Sequence, residues 1–169
     1  MFSENDLIVY GSTGVCRVKS VGPLSGISAA KEDRIYYTLE PLYDQGTIYI
    51  PVDSSVFMRP VISKEEALDL MRKIPDIWED AVAEMNQKAL TQRYESAISS
   101  HSCEELFRLI CVIYKRSQKS QSLGKRPSQT DERYLKRAKL LLYGELSVAL
   151  SIPYEDVGNY IQKAKARAL

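Results

Sequence analysis

The stretch that decides the fold is Asn5-Asp6-Leu7-Ile8-Val9-Tyr10-Gly11-Ser12-Thr13-Gly14-Val15-Cys16-Arg17-Val18. An apolar run, Leu7–Tyr10, is followed by a turn and then by alternating apolar and polar residues, which is the period of a half-buried strand. Gly11 and Gly14 suit the turn because glycine reaches positive φ without strain. A phosphate-cradling loop of similar composition would need a lysine and a following helix, and neither is present. The stretch therefore predicts a β-hairpin.

Downstream of the hairpin the β pattern continues to Pro60. Further runs rich in aromatic and β-branched residues predict three more strands, at Arg34–Leu39, Thr47–Pro51 and Val56–Arg59. The small and polar residues 25–33 predict a loop between the second and third strands. Short strands joined by tight turns are typical of a small SH3- or Tudor-like β-barrel, which we assign to residues 1–60.

After Pro60 the apolar period changes to about 3.6 residues, which is the helical period. Capping boxes begin helices after Ser63 and Ser102, and later helices are predicted from about Thr130 and near Pro153. The polar residues from Lys119 to Ser128, with Gly124 and Pro127, predict a loop before the Thr130 helix. We expect Pro75 to end the first helix, so that the next runs from about Asp80 to Ser99. Residues 61–169 therefore predict an all-helical domain of about five helices, and the chain an α+β fold.

The near-neutral net charge of +1 conceals an asymmetry along the chain. Residues 1–101 hold 10 Lys/Arg and 15 Asp/Glu, a net charge of −5, whereas residues 102–169 hold 13 and 7, a net charge of +6. Most of the positive charge lies between Arg108 and Lys139. Such a division predicts two surfaces with different partners, one of which is a polyanion.

The composition argues against several classes of protein. Cys16, Cys103 and Cys111 are odd in number and lack a C-x-x-C spacing, and His101 is the only histidine, so a disulfide framework, a zinc site and a catalytic triad are disfavoured. No apolar run approaches the roughly 18 residues of a membrane helix, and Met1–Asp6 lacks the apolar region of a signal peptide. We therefore expect a cytoplasmic protein that is not an enzyme and uses neither cofactor nor metal.

Two features of the helical half, its basic residues and Trp78, each allow two interpretations. The basic residues around Arg108–Lys139 form either a DNA-binding surface or a merely solvated face. Trp78, the only tryptophan, is either a linker aromatic packed on the core or an exposed apolar wedge that lies against a DNA base step.

Three segments together resemble the CarD/CdnL family of bacterial RNA polymerase-binding regulators. They are Asn5–Val15 with its Asp-x-x-Val-Tyr core, the strand Ile48–Val52, and the helical segment Leu142–Leu150, which reads Leu-Tyr-Gly-Glu-Leu-Ser-Val-Ala-Leu. Tyr49 stands at a site that is often Arg in the family. Each segment is moderately specific, and their order and spacing together cover nearly the whole chain.

The resemblance implies a bacterial transcription regulator in two parts. Its Tudor-like domain, shared with transcription–repair coupling factors, would bind the polymerase β subunit through Leu24, Tyr37, Tyr49, Ile50 and Pro51. Its helical domain would bind promoter double-stranded DNA at the upstream edge of the −10 bubble and modulate open-complex stability, with the protein monomeric in that complex. The candidate DNA contacts are Trp78, Lys88, Arg93, Arg108, Lys115, Arg116, Lys119, Lys125 and Arg126. The alternative is a protein-only adaptor whose basic helices do not touch DNA.

Overall fold

A computed structural model of the chain describes residues 1–82 and 86–167. The chain divides into two compact units, Met1–Val61 and Ile62–Leu169. Among the described residues the first unit contains five β-strands and the second contains five α-helices. The predicted α+β class, with an N-terminal β unit and a helical C-terminal region, is confirmed.

The first unit is a five-stranded antiparallel sheet. In chain order its strands are β1 (Leu7–Tyr10), β2 (Gly14–Gly22), β3 (Tyr36–Pro41), β4 (Ile48–Pro51) and β5 (Met58–Pro60). The order across the sheet is β4-β3-β2-β1-β5. The hairpin between β1 and β2 forms as predicted, with Tyr10 opposite Gly14 and with positive φ at Gly11 (45°) and Gly14 (95°).

The core of the sheet is apolar. The long β2 lies between β1 and β3 and pairs with both at Cys16 and Arg17, and its register with β3 shifts between Val18 and Ser20. Five side chains form the buried cluster, namely Ile8, Cys16, Val18, Tyr37 and Leu39. Because β4 and β5 lie at the two ends of the strand order, their outer edges are the edges of the sheet.

The second unit is helical and has a larger core. Its helices are α1 (Lys64–Asp80), α2 (Gln87–Ser99), α3 (Cys103–Ser122), α4 (Gln129–Leu150) and α5 (Val157–Ala166), with a 3₁₀ turn at Tyr154–Asp156. The predicted capping box at Ser63 is present, since the Ser63 side chain accepts from the Glu66 N–H and Glu66 accepts from the Ser63 N–H. Ser102 caps α3 by accepting from the Glu105 N–H, but the predicted box is incomplete, because the Ser102 N–H donates to the Ser100 hydroxyl instead of to Glu105.

Pro75 does not end the first helix, and that expectation was wrong. Helix α1 continues through Pro75 to Asp80. A proline inside a helix costs about 3 kcal/mol. The apolar stripe continues past it, however: Ile74 is 0% exposed and Ile77 is 2% exposed. Burying such side chains contributes roughly 1.5–3 kcal/mol each, which offsets the cost of the proline.

Two other helix boundaries differ from the expectation. Helix α2 begins at Gln87 rather than about Asp80, because the Asn86 side chain caps it by accepting from the Ala89 N–H at 2.8 Å. Residues 83–85 of the predicted start lie outside the described residues. Helix α3 continues to Ser122, so the polar connection to α4 covers residues 123–128 rather than starting at Lys119.

Candidate functional site

The edge strand β4 carries three of the predicted polymerase contacts. Tyr49 is 47% exposed, while Ile50 and Pro51 are partly buried. Thr38 of β3 lies opposite Tyr49, so that β4 pairs inward with β3 and its other side is the sheet edge. A strand edge presents main-chain N–H and C=O groups that a partner strand can bind.

The remaining predicted polymerase contacts lie differently. Tyr37 is 3% exposed, and its hydroxyl accepts a hydrogen bond from the Phe2 N–H at 3.0 Å. It lies opposite Ile50 in the β3–β4 register, so it supports β4 from inside the sheet and does not offer a surface. Leu24 is partly buried in the segment between β2 and β3.

Sequence reasoning missed Ile35, which precedes β3 and is 45% exposed. Its carbonyl accepts a hydrogen bond from the Val52 N–H at 3.1 Å, which places it just beyond the end of β4. Ile35 lies two residues before the buried Tyr37, so the period of a strand places both side chains on the same face. The alternation of apolar and polar residues therefore could not indicate that Ile35 is exposed.

Trp78 lies in the last turns of α1, not in a linker between helices. It is partly buried and packs against the helical core. Two ammonium groups lie by its ring: Lys165 Nζ is 3.3 Å from the ring centroid and Lys115 Nζ is 5.3 Å from it. The side chain is thus partly buried against the core, and its role as a wedge at a DNA base step stays a prediction.

Lys115 has a structural task within the helical unit. Its Nζ donates to the Ala81 carbonyl at 2.9 Å and to the Glu79 carbonyl at 3.3 Å. The last turn of α1 has no basic residue of its own. Lys115, reaching across from α3, therefore caps the unpaired carbonyls at the helix end that bears Trp78.

Arg108 and Arg116 are also paired with carboxylates inside the unit. Arg108 lies 2.9 Å from Glu104 and 3.7 Å from Glu105. Hydrogen bonds from Arg108 and then from Lys73 hold the pKa of Glu104 below its usual value.

Arg116 pairs with the buried Asp131 at 2.9 Å, and the other carboxylate oxygen of Asp131 accepts from the Tyr94 hydroxyl at 3.0 Å. Burial first, and the Asp131 carboxylate second, raise the pKa of Tyr94. The three side chains form a buried hydrogen-bonded chain that joins α2, α3 and α4.

The remaining predicted DNA contacts lie nearer the solvent. Lys88, Lys125 and Arg126 are exposed, and within residues 1–82 and 86–167 none of the three forms an ion pair. Lys119 is exposed at the end of α3, and Arg93 is partly buried on α2. Lys125 and Arg126 occupy the connection from α3 to α4, and the first turns of α4 add three exposed cations, Arg133, Lys136 and Arg137. These five residues are called the connection cations below.

Sequence reasoning also missed Lys165. The apolar stripe of α5 consists of Val157, Ile161 and Ala164, and Lys165 follows Ile161 by about one helical turn. The sequence did offer one signal, namely a lysine at a position of the apolar stripe. The stem of such a side chain must pack along the protein before its ammonium reaches water.

Two general features of the described residues bear on the site. In the described parts of the chain, no group of three or more His, Cys, Asp or Glu side chains is arranged to hold a metal ion. Among the same residues, no helix has the length and apolar character needed to cross a membrane.

Comparison with known proteins finds one family. Residues 2–62 match the family described as the CarD-like/TRCF RID domain. The match covers the β-sheet unit and ends where the helical unit begins. No curated protein matches the chain.

Proposed function

Residues 2–62 of this chain belong to the CarD-like/TRCF RID domain family, and on that premise we propose that the protein is a bacterial transcription regulator. Its N-terminal unit binds the β subunit of RNA polymerase. Its helical unit binds promoter double-stranded DNA near the upstream edge of the −10 bubble and changes the stability of the open complex. The protein carries out no chemistry of its own.

The polymerase contact is supported by the exposed edge of β4, which is the single observation that carries the proposal. Binding by strand addition takes its affinity from main-chain hydrogen bonds and its specificity from side chains beside the edge. Tyr49 is exposed at this edge, and buried Tyr37 fixes the strand from behind. Ile35 adds apolar surface just beyond the end of the strand.

The DNA contact is supported by the connection cations and by Trp78. Exposed cations without carboxylate partners keep their full charge available for phosphates, and phosphate contacts supply affinity that does not depend on sequence. Trp78 is partly buried and lies beside two ammonium groups. An aromatic ring beside cations suits the junction between a DNA backbone and a base step.

A protein-only adaptor is the second candidate, and one observation favours it. Arg108, Lys115 and Arg116 make ion pairs or hydrogen bonds within the helical unit, so part of the positive charge of this half has a structural explanation. The two candidates differ in whether the full chain binds a promoter duplex. Binding that weakens steeply with salt supports the regulator, and the absence of binding at low salt supports the adaptor.

The polymerase contact is tested by a pull-down of the full chain with the polymerase β subunit. Tyr49→Asp places a charge at the β4 edge and is expected to abolish retention. Phe57→Asp is the matched control, because Phe57 is an aromatic residue of comparable exposure (42%, against 47% for Tyr49) just before β5, which lies at the other edge of the sheet. Loss of retention with Phe57→Asp alone would place the polymerase contact at the other edge and contradict the proposal.

A further inference from the structure

Lys165 and Trp78 form a composite feature that the sequence-based list of DNA contacts does not include. The Lys165 ammonium lies 3.3 Å from the centroid of the Trp78 ring. Lys165 itself is only partly buried. A cation over an aromatic face is attracted by the ring quadrupole, most strongly for tryptophan.

Two cations lie near this ring, Lys165 and Lys115. Lys115 lies 5.3 Å from the Trp78 centroid on the side of α3. Lys115 has oxygen partners in the helical unit, because its ammonium donates to the carbonyl groups of Glu79 and Ala81. Lys165 is held by the ring instead of by a carboxylate, so its charge is not neutralised there.

The acidic residues next to Trp78 in the sequence do not face the same way. Asp76 and Asp80 are each two residues from Trp78, which places them about 160° away around the helix axis. Glu79 is about 100° away, and its carbonyl accepts from Lys115. The side of α1 that bears Trp78 is therefore flanked by cations, and the carboxylates of the same turns project elsewhere.

We propose that Lys165, held over the Trp78 ring, is a phosphate contact for double-stranded DNA, so that the last helix takes part in binding. The attraction between an exposed ammonium and a ring is weak enough for the ammonium to keep its hydration. Such an ammonium can therefore donate a hydrogen bond to a phosphate oxygen while remaining beside the ring. The Trp78 ring then lies next to the sugar–phosphate backbone and close to a base edge. The inference rests on the proposed binding of promoter DNA.

The test is a salt titration of binding between the full chain and a promoter duplex. Lys165→Gln removes the charge over the ring, and Lys163→Gln is the matched control, because Lys163 lies on the same last turn of α5 but nearly opposite Lys165 around the helix. The slope of log affinity against log salt should flatten by about 0.9 for Lys165→Gln, with an affinity loss of about fivefold at about 0.15 M salt. Lys163→Gln should change both much less, and Lys165→Arg should keep the wild-type slope. Because Trp78 is the only tryptophan, its fluorescence also reports whether DNA reaches the ring.

Each result separates this inference from the proposed function. If the wild-type chain binds no duplex, the proposed function fails and the contact fails with it. If the wild type binds but Lys165→Gln and Lys163→Gln behave alike, the phosphate contact is overturned while DNA binding stands. If Lys165→Gln strengthens DNA binding, Lys165 shields the Trp78 ring from DNA, and the proposed phosphate contact is again overturned. Thermal melting of each variant shows whether the fold is retained.

Discussion

The β-sheet unit and the helical unit differ in whether their cores contain buried charged groups. The buried cluster of the sheet is built from Ile8, Cys16, Val18, Tyr37 and Leu39, and the polymerase contact proposed for it uses the main-chain atoms of an edge strand. The core of the helical unit contains two buried carboxylates, Asp131 (5% exposed) and Glu145 (2% exposed). Binding through main-chain groups depends little on salt, whereas binding through side-chain charges depends on it strongly.

The helical unit also divides its cations into two groups. Lys115 and Arg116 join α3 to other helices and Arg108 pairs with carboxylates of its own helix, whereas the connection cations are exposed. We therefore expect the basic residues of this stretch to have two roles, one in stability and one in DNA binding. Substitutions in the first group should affect the free energy of unfolding, and substitutions in the second should affect DNA binding.

The largest expected effect comes from Asp131→Ala in the helical unit. Removing this carboxylate leaves Arg116 without its partner in a mostly buried position, and removes the acceptor of the Tyr94 hydroxyl. Breaking a buried pair in this way costs about 3–5 kcal/mol of the free energy of unfolding. Calorimetry should show a large fall in the melting temperature. Glu132→Ala, at the exposed neighbouring position, is the control and should change little. Equal melting temperatures for the two variants would contradict a structural role for Asp131.

Replacing both Lys125 and Arg126 with Gln should act on DNA binding alone. Both side chains are exposed in the connection between α3 and α4, and no ion pair involves them in residues 1–82 or 86–167. Two lost phosphate contacts would flatten the salt slope by about 1.8 and weaken binding about thirtyfold at about 0.15 M salt. The loss should be similar on all duplex sequences, because phosphate contacts carry no sequence information. An unchanged slope would place the DNA surface elsewhere.

Lys115→Gln tests whether the cations that are paired inside the helical unit act on stability and not on DNA binding. The variant loses two hydrogen bonds from an ammonium to the carbonyl groups of Glu79 and Ala81, so the free energy of unfolding should fall by roughly 1–3 kcal/mol. Urea denaturation followed by circular dichroism measures this loss. Lys125→Gln is the control and should leave the urea midpoint unchanged. A Lys115→Gln variant of wild-type stability that binds DNA poorly would instead make Lys115 a phosphate contact.

The smallest expected effect concerns the sheet unit at alkaline pH. Burial raises the pKa of Cys16 from the usual 9 to about 11. Between these values the unfolded thiol loses its proton and the folded thiol keeps it, so the free energy of unfolding should fall as pH rises through this range. Scanning calorimetry at about pH 8 and about pH 10 should show a larger downward shift for the wild type than for Cys16→Ala. An identical shift in both proteins would exclude the thiol as its cause.

Much of the fold could be predicted from local sequence pattern. The glycine-flanked hairpin and the Ser63 capping box depend on neighbours within a few residues, and both form as expected. Pro75 shows the limit, because its tolerance depends on what Ile74 and Ile77 bury across the helical unit. Tertiary packing of this kind overrides local propensity and cannot be read from one helix.

The individual site residues were less predictable than the family. The sequence indicated a basic stretch that includes Lys115, but it could not show that the carbonyl groups at the end of α1 would engage this side chain. Lys165 was missed because its partner, Trp78, is distant in sequence. Pairings between distant helices decide which cations remain exposed, and these pairings are tertiary information.

The lifetime of the open complex tests the central claim most directly, namely that one chain connects polymerase to promoter DNA. The lifetime is measured by in vitro transcription with the cognate polymerase on a promoter with a weak −10 region, with wild-type protein, Tyr49→Asp and Trp78→Ala. Wild-type protein should change the lifetime, and each variant should lose that effect, because one lacks the β4 contact and the other lacks the ring at the DNA. A change of about tenfold corresponds to about 1.4 kcal/mol. Thermal melting of Trp78→Ala shows whether lost packing rather than lost contact is the cause. A wild-type protein without effect, or a stably folded Trp78→Ala variant with the full wild-type effect, would contradict the account.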